Sequence, residues 1–378
     1  MESLRDSFKE KFNINPYKIY FSPGRVNLIG EHIDYNGGHV LPFSVSLGIY
    51  GAVAFNSSKT VNTFSEGFNN CVISFPSENF EKTDDYSVYI KGILYILKKE
   101  YDVDIPYGFN LYMKSTLPVS SGLSSSAALE LLILNILNDE FSLGFNRTEL
   151  ALIAQKAENT YVNVNCGIMD QFIVSNGKKN NAVLLDTNTL NYSYIPFDID
   201  DNIIVVVNTN KPRNLIKSKY NERRNECEQA LNILKCDKLV NADLKSISVL
   251  GETLKKRARH VITEEKRVKD ACEALRTKNF ERLGNLLKES HNSLKSDYEV
   301  TGLELDTISD ELNRSNFVYG ARMTGAGFGG CVVSLFRSTD KETLASYMKE
   351  VNKKYNKETG LNLTYYVLSP EDGVKEIF

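Results

Sequence analysis

Two rhythms of apolar residues run along the chain. Alternation, or a short unbroken apolar run, predicts strands at Lys18–Phe21, Gly48–Phe55, Gly108–Met113, Ala182–Asp186, Ile195–Phe197 and Leu363–Leu368. Strand-like pieces also alternate between Thr60 and Phe75, and Ser22-Pro23-Gly24 reads as the end of the first strand. The β-branched run Ile203–Asn208 predicts a buried strand. A helical period appears between Asp85 and Glu100, where Val88, Ile90, Ile93, Leu94, Ile96 and Leu97 form one stripe. Leu150, Ile153, Ala154 and Ala157 form the face of a helix opening at Thr148, with Glu158 near its end. Further helices are predicted at Tyr220–Leu234, at Leu303–Asn313, near Lys341–Lys357, and as two or three between residues 251 and 295, with charged outer faces. Met1 to Phe8 reads as a charged amphipathic helix that packs on the fold, not as a targeting segment. Asp198-Ile199-Asp200-Asp201 is the crossing point between two halves, 1–200 and 201–378.

One stretch breaks both rhythms. From Leu117 to Glu130 the chain reads LPVSSGLSSSAALE, and Leu123 is the large residue among small ones between 120 and 128. An apolar helix then continues through Leu131, Leu132, Ile133, Leu134, Ile136 and Leu137. A helix start has unpaired N–H groups and a partial positive charge. Small side chains let an anion approach them, and hydroxyls add donors, so one reading is a phosphate cradle. The other is a Ser-capped buried helix. No Walker A pattern and no dinucleotide fingerprint is present in this stretch.

Composition narrows the choices. A length of 378 residues, 42% apolar and 25% charged, suits a globular protein of about two domains. A net charge of −3 gives no hint of a nucleic-acid surface, and no apolar run approaches the roughly 20 residues of a membrane span. Cys71, Cys166, Cys227, Cys236, Cys272 and Cys331 lack metal-ligand spacing, so free thiols in a reducing cytoplasm are expected. The histidines, His32, His39, His260 and His291, form no H-E-x-x-H motif. Catalysis is left to carboxylates, arginine and a metal.

Three other blocks are dense in chemistry. Arg25, Glu31, His32 and Asp34 fall between Gly24 and Gly38, either as a solvated loop or as a pocket for a polyhydroxylated ligand. Asp170 sits in the otherwise apolar run Ile168-Met169-Asp170-Gln171-Phe172, as a structural carboxylate or a general base. Gly325, Gly327, Gly329 and Gly330 join two predicted strands within Gly320–Leu335 and permit close backbone approach. The letters from Gly325 to Gly330 match G-x-G-x-x-G, but a strand follows where a dinucleotide site needs a helix.

Taken together and in this order, the blocks resemble the GHMP kinase superfamily of small-molecule kinases, and Gly24–Gly38 looks like the signature of its galactokinase family. Leu117–Glu130 resembles the family's nucleotide loop, Cys166–Phe172 the segment of its catalytic Asp, and Thr324–Gly330 its third motif. The resemblance implies a two-domain α+β fold, with a ribosomal-S5-domain-2-like N-terminal half and a ferredoxin-like C-terminal half. It implies ATP-dependent phosphorylation of D-galactose at the anomeric hydroxyl, giving α-D-galactose 1-phosphate and ADP for the Leloir pathway. By position, Asp170 and Arg25 would be catalytic, and Glu31, His32, Ile33, Asp34, Gly167 and Tyr220 would bind the sugar. Ser65, Ser120, Ser121, Gly122, Leu123, Ser124, Ser125 and Ser126 would bind ATP, while Ser126 and Glu158 would hold Mg²⁺. Ile33 stands where the signature usually has Thr, and Ser120-Ser121 where the loop usually has two glycines. The expected protein is a cytoplasmic monomer acting on small molecules. An N-acetylgalactosamine or arabinose kinase, and a non-catalytic sugar sensor, are the rival readings. The complete Ser124-Ser125-Ser126-Ala127 turn, with Glu158 and Asp170, favours an enzyme.

Overall fold

The computed structural model describes residues 2–68, 70–118, 122–212 and 216–378, with side chains from residue 219 onward in the last range. Its strands are β1 Lys18–Asn27, β2 His39–Val40, β3 Pro42–Phe55, β4 Thr60–Ser65, β5 Ile73–Pro76, β6 Phe109–Ser115, β7 Asn181–Asp186, β8 Tyr192–Pro196, β9 Ile203–Asn208, β10 Val318–Thr324, β11 Cys331–Phe336, β12 Thr364–Leu368 and β13 Lys375–Glu376. Its helices are α1 Glu2–Phe12, α2 Ser87–Tyr101, α3 Ser125–Glu140, α4 Arg147–Lys156, α5 Met169–Asn176, α6 Ile216–Leu234, α7 Glu252–Arg276, α8 Phe280–Ser293, α9 Leu303–Asn313 and α10 Lys341–Thr359.

The first sheet has the order β13-β1-β3-β6-β4-β5 and is antiparallel except for the β4–β6 pair. Its two faces follow the period of two. Ile19, Ala52, Ala54, Phe64 and Tyr112 pack under Leu4 and Phe8 of α1. Tyr20, Ile49, Val53 and Leu111 turn the other way, into the main core. That core is organised around α3, whose residues from Ala127 to Leu134 are all buried. A helix apolar on every side belongs inside a fold. Gly51 makes room for it: a Cβ there would lie 2.9 Å from the Leu132 side chain.

The second sheet has the order β10-β11-β9-β12 and is antiparallel throughout. Counting β9 to β12 as first to fourth gives the 2-3-1-4 order of a ferredoxin-like sheet, with helices in both crossovers. Val205, Val206 and Val207 of β9 are fully buried. Gly284 of α8 and Gly320 of β10 meet backbone to backbone: a Cβ on Gly284 would lie 2.3 Å from the Tyr319 carbonyl oxygen. A small third sheet, β2-β7-β8, completes the described strands. No helix among the described residues is long and apolar enough to cross a membrane.

Several elements differ from the sequence expectation. Ser22-Pro23-Gly24 does not end β1; the strand runs on to Asn27 through a register shift between Pro23 and Arg25. Such a bulge bends a strand and re-aims its side chains. Helix α4 opens at Arg147, one residue before Thr148, and is capped by Asn146, which accepts from the N–H groups of Thr148 and Glu149 in a capping box. The segment Ala157–Val162, which carries Glu158, continues as π-helix. The chain's last strand, β13, returns to β1 of the first sheet, pairing Tyr20 with Glu376.

Because Leu132 is fully buried in the apolar core around α3, Leu132→Ala should cost about 2–5 kcal/mol in denaturant unfolding. A loss below about 1 kcal/mol would contradict its place at the centre of the core.

Candidate active site

The bulge in β1, the start of α3 and the start of α5 meet at one point. Gly24 is bare because a Cβ there would lie 2.7 Å from the Leu123 carbonyl oxygen. The backbone N–H of Arg25 donates to that same carbonyl at 3.1 Å. The Arg25 side chain is buried and spends its guanidinium on two partners. Nε and Nη2 donate to the two oxygens of Asp170, each at 2.8 Å, and Nη1 donates to the Gly122 carbonyl at 2.6 Å. Bidentate pairing of this kind fixes orientation as well as charge. Asp170 Oδ2 also accepts from the Ser124 hydroxyl.

Ser124 stands at the N-terminal boundary of α3 with φ of 61°, in the left-handed region, its hydroxyl spent on Asp170 and not on capping the helix, and Gly122 lies two residues before it at 77°. This backbone brings Gly122, Ser124, Ser125 and Ser126 to the wall of a cavity of about 450 Å³. The helix start therefore faces an open space with N–H groups and hydroxyls, an arrangement suited to an anion. Ser120 and Ser121 lie outside the described residues.

The first polar block forms another wall of the cavity, with Glu31, His32 and Asp34 beside Gly167, Asp170 and Tyr220. Glu31 is held on both oxygens. Oε1 accepts from Gly325 N–H at 2.6 Å and from the Thr324 hydroxyl at 3.1 Å, and Oε2 accepts from Asn27 Nδ2 at 2.8 Å. Arg322 Nη2 lies 3.0 Å from Oε1. His32 pairs Nδ1 with the Tyr35 hydroxyl at 2.8 Å, and Tyr35 meets the Tyr298 hydroxyl at 2.8 Å. Burial, then the neighbouring His260, push the His32 imidazole down to about 3, so it stays neutral. Burial, then the Asp170 and Glu31 charges, push the Asp34 carboxyl up to about 7. Asp34 lies against Gly167, where a Cβ would come 1.8 Å from Oδ2, so only glycine fits. The Tyr220 ring lies 5.7 Å from His32 and 5.4 Å from Tyr35.

Glu158 enters the cavity from the π-helical segment. Its Oε2 accepts from Gln171 Nε2 at 2.6 Å, and its carboxylate also meets the Ser126 hydroxyl. Burial, then the Asp170 charge, raise it to about 7.

The structure brings most of the sequence-predicted residues together, with three placed elsewhere. Ile33 is fully buried in the apolar core against Gly38, so its side chain does not line the cavity; a β-branched apolar group gains more from packing there than beside polar walls. Leu123 also turns its side chain into the core and contributes only its carbonyl to Arg25. Ser65 ends β4, away from this cavity. Sequence reasoning passed over Cys166 and Asn165 in the wall, Tyr298 behind His32, and Arg322 and Thr324 behind Glu31. Arg322, itself fully buried, carried a signal: a charge in the interior of the mostly apolar strand β10.

Comparison with known proteins agrees with this geometry. Residues 6–55 match the galactokinase galactose-binding signature, residues 88–178 the N-terminal domain of GHMP kinases and residues 271–354 their C-terminal domain. The chain is 42% identical to a galactokinase of Clostridium perfringens over 100% of both chains, and 43% identical to one of Lactiplantibacillus plantarum over 99% of both. The crystal structure of Lactococcus lactis galactokinase complexed with galactose superposes with a TM-score of 0.93 at 41% identity, covering 99% of each chain. A mevalonate kinase of Methanococcus jannaschii shares the two-domain fold, with a TM-score of 0.67 at 20% identity over 94% of this chain and 98% of that one. With a full-length relation to galactokinases and a signature specific to them, the chain belongs to the galactokinase family of the GHMP kinases.

Proposed function

We propose that this protein transfers the terminal phosphoryl group of ATP to the anomeric hydroxyl of D-galactose, releasing ADP and α-D-galactose 1-phosphate. Family membership supports the substrates. The observation that carries the chemistry is the Arg25–Asp170 pair set against the Gly122–Ser126 turn. As the oxygen–phosphorus bond forms and the bond to ADP breaks, the hydroxyl proton passes to Asp170. Arg25 holds that carboxylate with two N–H groups and the turn with a third, so it sets the distance between acceptor and donor. Phosphoryl transfer has a loose transition state, so such positioning and charge neutralisation supply most of the catalysis.

The start of α3, with Ser120 and Ser121 before it, takes the ATP phosphates, and Ser65, which does not line the cavity, reaches only a part of the nucleotide that extends beyond it. His32, Asp34, Gly167 and Tyr220 contact the sugar. Glu31 presents it a carboxylate that Asn27, Thr324, Gly325 and Arg322 already orient. Ser126 and Glu158 suit Mg²⁺: both offer oxygen ligands, they touch, and the contacts of the buried Glu158 carboxyl among the described residues are to Ser126, Cys166 and Gln171, with no cation. The described residues hold no cluster of three or more His, Cys, Asp or Glu able to bind a metal, in keeping with an ion that takes most of its ligands from phosphate and water. When bound, Mg²⁺ neutralises phosphate charge.

The same reading divides the chain near residue 200, into 1–200 and 201–378, with the final strand crossing back to the first sheet. It also makes the protein a cytoplasmic monomer. Free thiols at Cys71, Cys166, Cys227, Cys236 and Cys272 suit a reducing compartment. Large exposed apolar side chains such as Leu303 on α9 and Val367 on β12 sit on separate elements, which favours the monomer.

ADP release with galactose should exceed that with N-acetylgalactosamine or L-arabinose; preference for another sugar would move the substrate assignment. Asp170→Asn should lower turnover by about 10²–10⁴-fold and leave ATP affinity nearly unchanged, as measured by calorimetry; near-normal turnover would remove Asp170 from the proton-accepting role. In the ligand-free protein, Asp34 is raised from 3.8 to about 7, so the folded state binds more protons than the unfolded one between those values. Its contribution to stability is therefore lost as pH rises through that window. Thermal melts across pH should show a shallower decline for Asp34→Asn than for the parent, and identical slopes would refute the assignment.

A further inference from the structure

Behind the cavity lies a buried pair that none of these roles uses. Glu130 sits on α3, one turn beyond Ser126, and is fully buried. Gln171, also fully buried, follows Asp170 in the first turn of α5. Its Nε2 donates to Glu158 Oε2 at 2.6 Å and to Glu130 Oε2 at 3.4 Å. Glu130 Oε1 and Gln171 Oε1 find no hydrogen-bond partner among the described residues.

Such a pair is an expensive way to fill a core. An apolar pair of equal volume would avoid burying a carboxyl group and leaving two polar atoms unsatisfied. What the amide does instead is hold one oxygen of Glu158. Adjacent residues on a helix point about 100° apart. Asp170 accordingly faces Arg25 and Ser124, while Gln171 faces Glu158 and Glu130. One helical turn thus carries Asp170 and the amide that holds Glu158. Glu130 joins that turn to α3, the helix whose start forms the phosphate wall.

We propose that Gln171, backed by Glu130, is a positioning residue: it orients Glu158 toward the divalent cation of the nucleotide and keeps it in register with Asp170. This rests on the reading of Glu158 as a cation ligand. The test is calorimetric titration of ATP with and without Mg²⁺, in the absence of sugar, and of galactose alone. Three variants are compared with the parent: Gln171→Met, which keeps length but has no amide; Glu130→Gln; and Glu158→Gln. Mg²⁺ should tighten ATP binding by the parent. Gln171→Met should lose about tenfold of that tightening, and Glu130→Gln roughly threefold, with Mg²⁺-free ATP and galactose affinities held within about twofold. Glu158→Gln should lose the tightening altogether. If Glu158→Gln keeps it, the ligand reading of Glu158 fails. If Glu158→Gln loses it while the other two variants keep it, that reading stands and the positioning role is overturned. An equal fall in galactose, Mg²⁺-free ATP and Mg²⁺-ATP affinity would mean general loss of packing and would also overturn it. Should Gln171→Met not fold, the isosteric Glu130→Gln carries the test.

Discussion

The site depends on one buried carboxylate. Glu31 gathers Asn27 from the end of β1, Arg322 and Thr324 from β10, and the N–H of Gly325 from the turn after it. Arg322 in turn donates to the carbonyls of Asn27 and Leu28. His260 of α7 meets the Glu31 carbonyl at 3.0 Å. Charges buried this deeply stay in place only when each has its partners, and removing one member leaves the others uncompensated. The junction therefore ties the first sheet to the second and closes the cavity between them. It also explains the glycines after Thr324: Gly325 and Gly327 have φ of 90° and 79°, where a side chain is strained, and Gly327 packs against the Val300 carbonyl.

Within that frame, backbone geometry brings the reacting groups together. The register shift in β1 and the bare Gly24 bring Arg25 against Leu123, and Ser124 turns α3 inward through its left-handed conformation. Non-glycine residues in that conformation carry strain that the surrounding packing must sustain. The apolar sleeve around α3 supplies it.

The same neighbourhood collects carboxylates that disfavour one another. Asp34 and Glu158 are raised to about 7, first by burial and then by Asp170. A fold optimised for stability alone would separate them. Their concentration beside a phosphate-binding helix start is understandable if sugar hydroxyls and a cation complete their hydrogen bonding and charge balance, a local conflict of the kind functional sites retain.

How much of this was legible beforehand can be argued element by element. The apolar periods of α2 and α3, the β-branched run of β9 and the small-residue turn are local signals. Their physics, side-chain direction and helix-end electrostatics, acts within a few residues, so the sequence by itself determined those elements and pointed to candidate chemistry at Arg25, Asp34 and Asp170, while Glu158 entered through the resemblance. The order of motifs identified the family. What remained to tertiary structure was which groups meet. Arg25 and Asp170 are 145 positions apart, and Glu31 and Gly325 are 294 apart. No local preference encodes such pairings. Ile33 was assigned to the sugar by its neighbours in the motif, yet its own side chain goes to the core, because burial of an apolar group is decided by the whole fold. Gln171 and Glu130 carry no local signal of a role; what they touch was set when α3, α5 and the π-helical turn were packed together. Only that packing, by excluding water and leaving one amide between two carboxylates, gave them a task.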